Sequence, residues 1–168
     1  MSKRDKKCAD CSSSGLSFLH GSDEKSGGTA KEPCSWFEVQ YLVKEIARQA
    51  SISSKKYDCI LGIANGGIIP AKLLAEQLGI GDVKLVPVRK KKVIAHEMPA
   101  LDKKKRYLII DDIYDTGDTY KKVRNAVKGF RCDYAFCMTR HPTDVGICGR
   151  ILGHDRWIVF PWEQVEQQ

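Results

Sequence analysis

Residues Tyr107-Leu108-Ile109-Ile110-Asp111-Asp112-Ile113-Tyr114-Asp115-Thr116-Gly117-Asp118-Thr119-Tyr120 decide how the chain is read. Four apolar residues in a row have the pattern of a buried strand. Two adjacent acids end the run, and a third follows at Asp115. Side chains alternate along a strand, so Asp111 and Asp112 cannot both point into a core. Paired acids beyond the strand's carboxyl end suit a polyol or a hydrated Mg²⁺, which takes a few carboxylates and keeps waters. Thr116 to Thr119 then form a turn rich in hydroxyl and backbone N–H donors, and a helical pattern starts behind it. A helix N-terminus behind such a turn binds phosphate through free N–H groups and the helix dipole. One segment therefore offers a sugar and metal grip beside a monophosphate cradle. The plain alternative is an acidic strand-to-helix turn, since Asp, Thr and Gly also cap helices.

Working outward, the upstream half repeats the arrangement. Tyr57 to Ala64 reads as a strand, Asn65-Gly66-Gly67 as a turn, and Pro70, Leu73, Leu74 and Leu78 as a helix ending before Gly79. Glycines let the backbone approach an anion and present its N–H groups. Before that, Ser35 and Glu38 form a capping box. Val39, Leu42, Val43, Ile46, Ala47 and Ala50 follow at helical spacing, predicting a helix over Trp36 to Ala50. Val83 to Val88 reads as a short strand. Arg89 to Arg106 is long, basic and without period, and is read as a lid that covers a pyrophosphate and excludes water, the plain alternative being a solvated basic loop. Downstream, Tyr120, Val123, Ala126, Val127 and Phe130 mark a helix, and Asp133 to Thr139 a strand. Residues 143–153 read as a connection, and Arg156 to Phe160 as a last strand before Pro161-Trp162-Glu163. Strands alternating with helices predict an α/β fold with a mainly parallel sheet flanked by helices. Both anion-binding turns would lie at the strands' carboxyl ends, where such sheets bind ligands.

Composition sets the frame. The 168 residues make one domain of ordinary size. Residues 1–33 are rich in Lys, Ser and Gly and read as a flexible tail, with residues 34–168 as the folded domain. No apolar run has membrane-spanning length, and the start lacks the apolar core of a secretory signal, so a cytoplasmic location is expected. Net charge is +7, concentrated in residues 3–7, 89–92 and 103–106. No nucleic-acid-binding pattern accompanies it, which favours a small polyanion over nucleic acid. Cys8 and Cys11 form a single Cys-x-x-Cys pair, with His20 and Cys34 downstream, at a spacing that matches no standard zinc site. No Walker A or Gly-x-Gly-x-x-Gly pattern occurs.

The run from Asp111 to Thr119 resembles the phosphoribosyl pyrophosphate (PRPP) motif of type I phosphoribosyltransferases: an apolar strand, two acids, two apolar residues, then Asp-Thr-Gly-x-Thr. Trp157-Ile158-Val159-Phe160-Pro161-Trp162-Glu163 resembles the purine-site segment of the xanthine–guanine type. The resemblance implies a Rossmann-like sheet with a small C-terminal hood. It also implies transfer of a phosphoribosyl group from PRPP to guanine, hypoxanthine or xanthine with release of pyrophosphate, as in purine salvage. Asn65, Gly66, Gly67 and Arg89 would serve the pyrophosphate, and Asp111 and Asp112 the ribose. Thr116, Gly117, Asp118 and Thr119 would bind the 5′-phosphate, with the Asp118 side chain turned away. Asp115 would be the general base or acid at purine N7. Arg140, Trp157 and Ile158 would hold the base, and Asp111, Asp112 and Glu163 a Mg²⁺. A homodimer or tetramer is implied. Two positions depart from the pattern: Arg140 stands where these enzymes carry Lys, and Asn65 where they often carry Lys or Arg. A PRPP-sensing regulator and a transferase for another base are the rival readings.

Overall fold

The computed structural model describes residues 30–163. The strands are β1 (Lys31–Pro33), β2 (Cys59–Ile63), β3 (Val83–Val86), β4 (Val88–Arg89), β5 (Lys92–Val93), β6 (Arg106–Tyr114), β7 (Arg131–Thr139), β8 (Ile147–Ile151) and β9 (Trp157–Val159). The α-helices are α1 (Trp36–Ile52), α2 (Ile68–Leu78) and α3 (Asp118–Ala126). Five strands form a sheet in the order β3-β2-β6-β7-β8, every pair parallel.

Alternation along the central strands divides the core. Ile60, Leu108 and Ile110 face one side and join Val39, Leu42, Val43 and Ile46 of α1 with Ala71 and Leu74 of α2. Leu61, Ile63, Tyr107 and Ile109 face the other side and join Val123 of α3 and Val127. A sheet covered on both faces is what continuous apolar strands require. Helix α1 begins as expected: Glu38 N–H donates to the Ser35 hydroxyl at 3.2 Å, and Ser35 N–H donates to the Glu38 carboxylate at 2.8 Å. Helix α2 ends on Gly79 at φ +66°, a left-handed cap.

The chain runs from β2 to the edge at β3, then returns across β2 to β6. The loops after β2 and β6 therefore diverge from neighbouring strands. Such a switch point leaves a crevice at the carboxyl ends.

Three expectations need correction. Residues 143–153 contain β8, which pairs with β7 from Ala135↔Ile147 to Thr139↔Ile151. Its first four residues are half-buried at the sheet edge and Ile151 is exposed, so no alternation shows in the sequence. Residues 89–106 are not wholly irregular, because β4 and β5 form an antiparallel hairpin there. Lys31–Pro33 belong to β1, which pairs in parallel with β9 rather than joining the tail. Residues 1–29, with Cys8, Cys11 and His20, and residues 164–168 lie outside the described residues. β1 and β9 build the hood over the sheet's carboxyl edge. Glu32 lies 2.9 Å from His154 Nε2 and forms an ion pair with Arg156 at 2.9 Å, contacts that hold these strands to the preceding loop. Among the described residues no helix is long and apolar enough to cross a membrane.

Candidate active site

Strand β6 keeps β2 as a neighbour only as far as Gly62↔Ile110, but pairs with β7 out to Tyr114↔Thr139. Asp111 and Asp112 thus lie inside the strand, not beyond it as expected. They stand where β2 has already turned into the Ala64–Gly67 loop. Asp111 is buried, 8% exposed. Asp112 N–H donates to Asp111 Oδ1 at 3.1 Å, and Ile113 N–H donates to Asp112 Oδ1 at 2.7 Å. Burial, reinforced by the neighbouring Asp112 charge, raises the Asp111 carboxyl well above its usual range. Burial also lifts Asp112 to about 6; the Ile113 N–H opposes the rise and the Glu163 carboxylate adds to it.

The loop after β2 presses on this pair. A Cβ on Gly66 would overlap the Asp112 carboxylate, and one on Gly67 would overlap the Ile110 carbonyl. Only glycine allows the two loops this approach. The Gly66 main chain is consequently the part of the Asn65–Gly67 turn that meets the acids.

Behind β6, Gly117 adopts φ +78° and caps α3. A Cβ there would lie 2.6 Å from the Tyr114 hydroxyl, and its φ already favours glycine. Asp118 N–H donates to Thr116 Oγ1 at 3.4 Å. A cavity of about 160 Å³ opens over this turn, lined by residues 111–120 with Lys91 and Phe136. It combines the free N–H groups of a helix start with the carboxyls of Asp111 and Asp112.

A second cavity of about 220 Å³ lies under the hood. Trp157, Ile158, Phe160 and Glu163 form one wall, and Asp112, Ile113, Asp115 and Arg140 the other. Trp157 is 54% exposed, so it is not a core aromatic. Asp112, Ile113 and Asp115 line both cavities. Arg140 is 10% exposed and places Nε 2.7 Å from Asp115 Oδ1. Its Nη1 donates to the carbonyls of His154 at 3.2 Å and Arg156 at 3.1 Å. Arg140 therefore ties Asp115 to the hood.

Of the residues singled out in sequence, Asp111, Asp112, Asp115, Thr116, Gly117, Asp118 and Thr119 share the first cavity, while Arg140, Trp157, Ile158 and Glu163 share the second. Arg89 joins neither. Its guanidinium makes a bidentate pair with Glu97 at 2.7 and 2.9 Å. Asn65 is exposed and lines neither. Sequence reasoning missed Ile113, which belongs to both cavities, Phe160 of the wall under the hood, and Lys91. Ile113 and Phe160 lay inside quoted motifs; Lys91 carried no signal among its basic neighbours.

The chain matches the family model described as phosphoribosyl transferase domain over residues 35–139. The chain belongs to the phosphoribosyltransferase family. This phosphoribosyltransferase is 26% identical over 137 residues to a xanthine-guanine phosphoribosyltransferase of Idiomarina loihiensis, covering 77% of this chain and 84% of that one. It is 28% identical over 143 residues to a xanthine-guanine phosphoribosyltransferase of Nitratidesulfovibrio vulgaris, with coverage of 80% and 86%. The solved purine phosphoribosyltransferase of Pyrococcus horikoshii superposes with a TM-score of 0.65 at 30% identity, over 80% of this chain and 95% of that one.

The donor set suits a hard divalent cation. Among the described residues no group of three or more His, Cys, Asp or Glu forms an all-protein metal cage. Two buried carboxyls that repel one another fit an ion such as Mg²⁺, which takes one or two carboxylates and fills its shell with water and substrate oxygens.

Proposed function

We propose that the protein transfers the 5-phosphoribosyl group of PRPP to the ring nitrogen of a 6-oxopurine, guanine, hypoxanthine or xanthine, and releases pyrophosphate. One observation carries the reading: an anion-binding cavity and an aromatic-walled cavity meet at Asp112, Ile113 and Asp115. A 5′-phosphate in the first and a flat base in the second bring the anomeric carbon to that junction. The named relatives act on purines by their names, and the aromatic wall accords with such a base.

The roles follow from position. The N–H groups of the Thr116–Thr119 turn and the α3 dipole hold the 5′-phosphate. The Asp118 side chain is exposed and keeps its charge away. Asp111 and Asp112 accept hydrogen bonds from the ribose hydroxyls and favour the positive charge that develops on the ring. Gly66 and Gly67 offer main-chain groups to the pyrophosphate. As the base nitrogen bonds to the anomeric carbon, the bond to the pyrophosphate oxygen breaks. The proton leaving the base passes to Asp115, whose carboxylate Arg140 orients. Trp157 stacks on the base, and the Ile158 main chain faces its edge. Asp111 and Asp112, with Glu163 nearby, would hold Mg²⁺, which when bound neutralises the pyrophosphate. Assembly as a dimer or tetramer and a cytoplasmic setting in purine salvage belong to the same proposal.

The test is pyrophosphate release with PRPP, Mg²⁺ and a panel of bases. Release with at least one of guanine, hypoxanthine or xanthine is expected. Release only with another base, or none despite tight PRPP binding, overturns the proposal.

A further inference from the structure

The β4–β5 hairpin carries basic residues at four successive positions, Arg89, Lys90, Lys91 and Lys92, but they are not equivalent. Val88 pairs with Val93 and Arg89 with Lys92, which leaves Lys90-Lys91 as a two-residue turn. Both turn residues have positive φ, 49° and 58°. Such turns ordinarily carry Asn-Gly or Gly-Gly, because a side chain is strained there. Lysine at both positions is a departure from local preference, and departures of this kind cluster at functional sites. Arg89 is already occupied by Glu97. Lys91 lines the cavity over the Thr116–Thr119 turn. The other charged residues of that lining are Asp111, Asp112, Asp115 and Asp118. Among the described residues Lys91 is therefore the one cation in a cavity of four acids.

A phosphate monoester is close to a dianion at neutral pH. Asp115 is already paired with Arg140, but the turn itself offers a phosphate only main-chain N–H groups, hydroxyls and half a helix charge. A cation from outside the motif would strengthen that grip, and Lys91 is the residue that the fold brings to this cavity. Resting on the phosphoribosyl-transfer reading, we infer that Lys91 is the 5′-phosphate cation of this protein and selects donors that carry a terminal phosphomonoester. The hairpin thus serves the end of the pentose opposite to the pyrophosphate. This differs from the expectation that the basic loop covers the leaving group.

Binding is measured by calorimetry with ribose 5-phosphate, and separately with Mg²⁺ and pyrophosphate, so that turnover is not needed. Lys91→Gly removes the charge while suiting the positive φ, and its thermal midpoint should match or exceed that of the unsubstituted protein. It should weaken ribose 5-phosphate about tenfold or more, the scale of one charge-assisted contact, and change pyrophosphate affinity by less than about twofold. Lys90→Gly relieves the same strain and should leave both affinities unchanged; Lys91→Arg should recover most of the ribose 5-phosphate affinity. Equal ribose 5-phosphate binding by Lys91→Gly and the unsubstituted protein would overturn the inference alone. So would a selective loss of pyrophosphate. An unsubstituted protein that binds neither probe would overturn the transfer reading, and this inference with it.

Discussion

Asp112→Asn should stabilise the protein in the absence of divalent cations, and the gain should depend on pH. Asp112 is displaced from an ordinary value of 3.8 to about 6, first by burial and then by the Glu163 carboxylate. The folded chain therefore holds a proton that the unfolded chain has already released between these values. Stability from the protonated carboxyl is full below about pH 4, is lost as pH rises, and is gone above about pH 6. At about 1.4 kcal/mol for each tenfold change in proton affinity, the loss amounts to about 3 kcal/mol. Asparagine has the same shape, its oxygen can still accept from Ile113 N–H, and its amide can donate towards Glu163 without carrying charge. The variant should match the unsubstituted protein near pH 4 and exceed it by up to about 3 kcal/mol at pH 8, or roughly 6–12 °C in thermal midpoint. Urea unfolding at pH steps from 4 to 8, followed by tryptophan fluorescence, measures the gap. Adding Mg²⁺ at pH 8 should stabilise the unsubstituted protein more than the variant, because the variant has lost a carboxylate. A gap that does not change with pH, or a variant less stable at pH 8, would refute the picture of Asp112 as a buried charge awaiting a cation.

Three other expectations follow from the same geometry. Asp115→Asn should lower kcat by 10²–10⁴, the range for a lost acid–base group, while PRPP affinity by calorimetry stays within about threefold; normal turnover would remove Asp115 from its role. Gly66→Ala must displace either the loop or the Asp112 carboxylate, so PRPP affinity should fall at least about tenfold, with a loss of about 1–3 kcal/mol in urea unfolding. Ser35→Ala deletes the hydroxyl that accepts from Glu38 N–H and should cost about 1 kcal/mol in thermal unfolding while leaving kinetic constants unchanged.

Much of this architecture was legible from local chemistry. Helix α1 begins at its Ser35–Glu38 capping box because those two side chains satisfy free main-chain N–H groups within a single turn. Helix α2 ends at Gly79 because a left-handed residue stops a helix wherever it occurs. The apolar run before Asp111 marked the central strand, since four successive apolar residues need cover on both faces. The motif from Asp111 to Thr119 likewise contains its own cradle, because the strand, turn and helix start are neighbours in the chain. Each of these depends on contacts a few residues apart.

What tertiary structure decided depends on partners far along the chain. β8 exists because Gly149 lets its main chain approach the Cys137 carbonyl and Leu42 of α1, and a glycine in sequence does not show what will press against it. β1 and β9 are strands only through each other, across more than a hundred residues. The roles of three basic side chains were equally hidden. Arg89 turned to Glu97, Arg140 to Asp115 and the hood carbonyls, and Lys91 to the cavity over the Thr116–Thr119 turn. Sequence shows a positive charge, but only folding settles which carboxylate or cavity it can reach. The raised pKa values of Asp111 and Asp112 have the same origin, because desolvation is set by what covers a carboxyl and not by its neighbours in the chain.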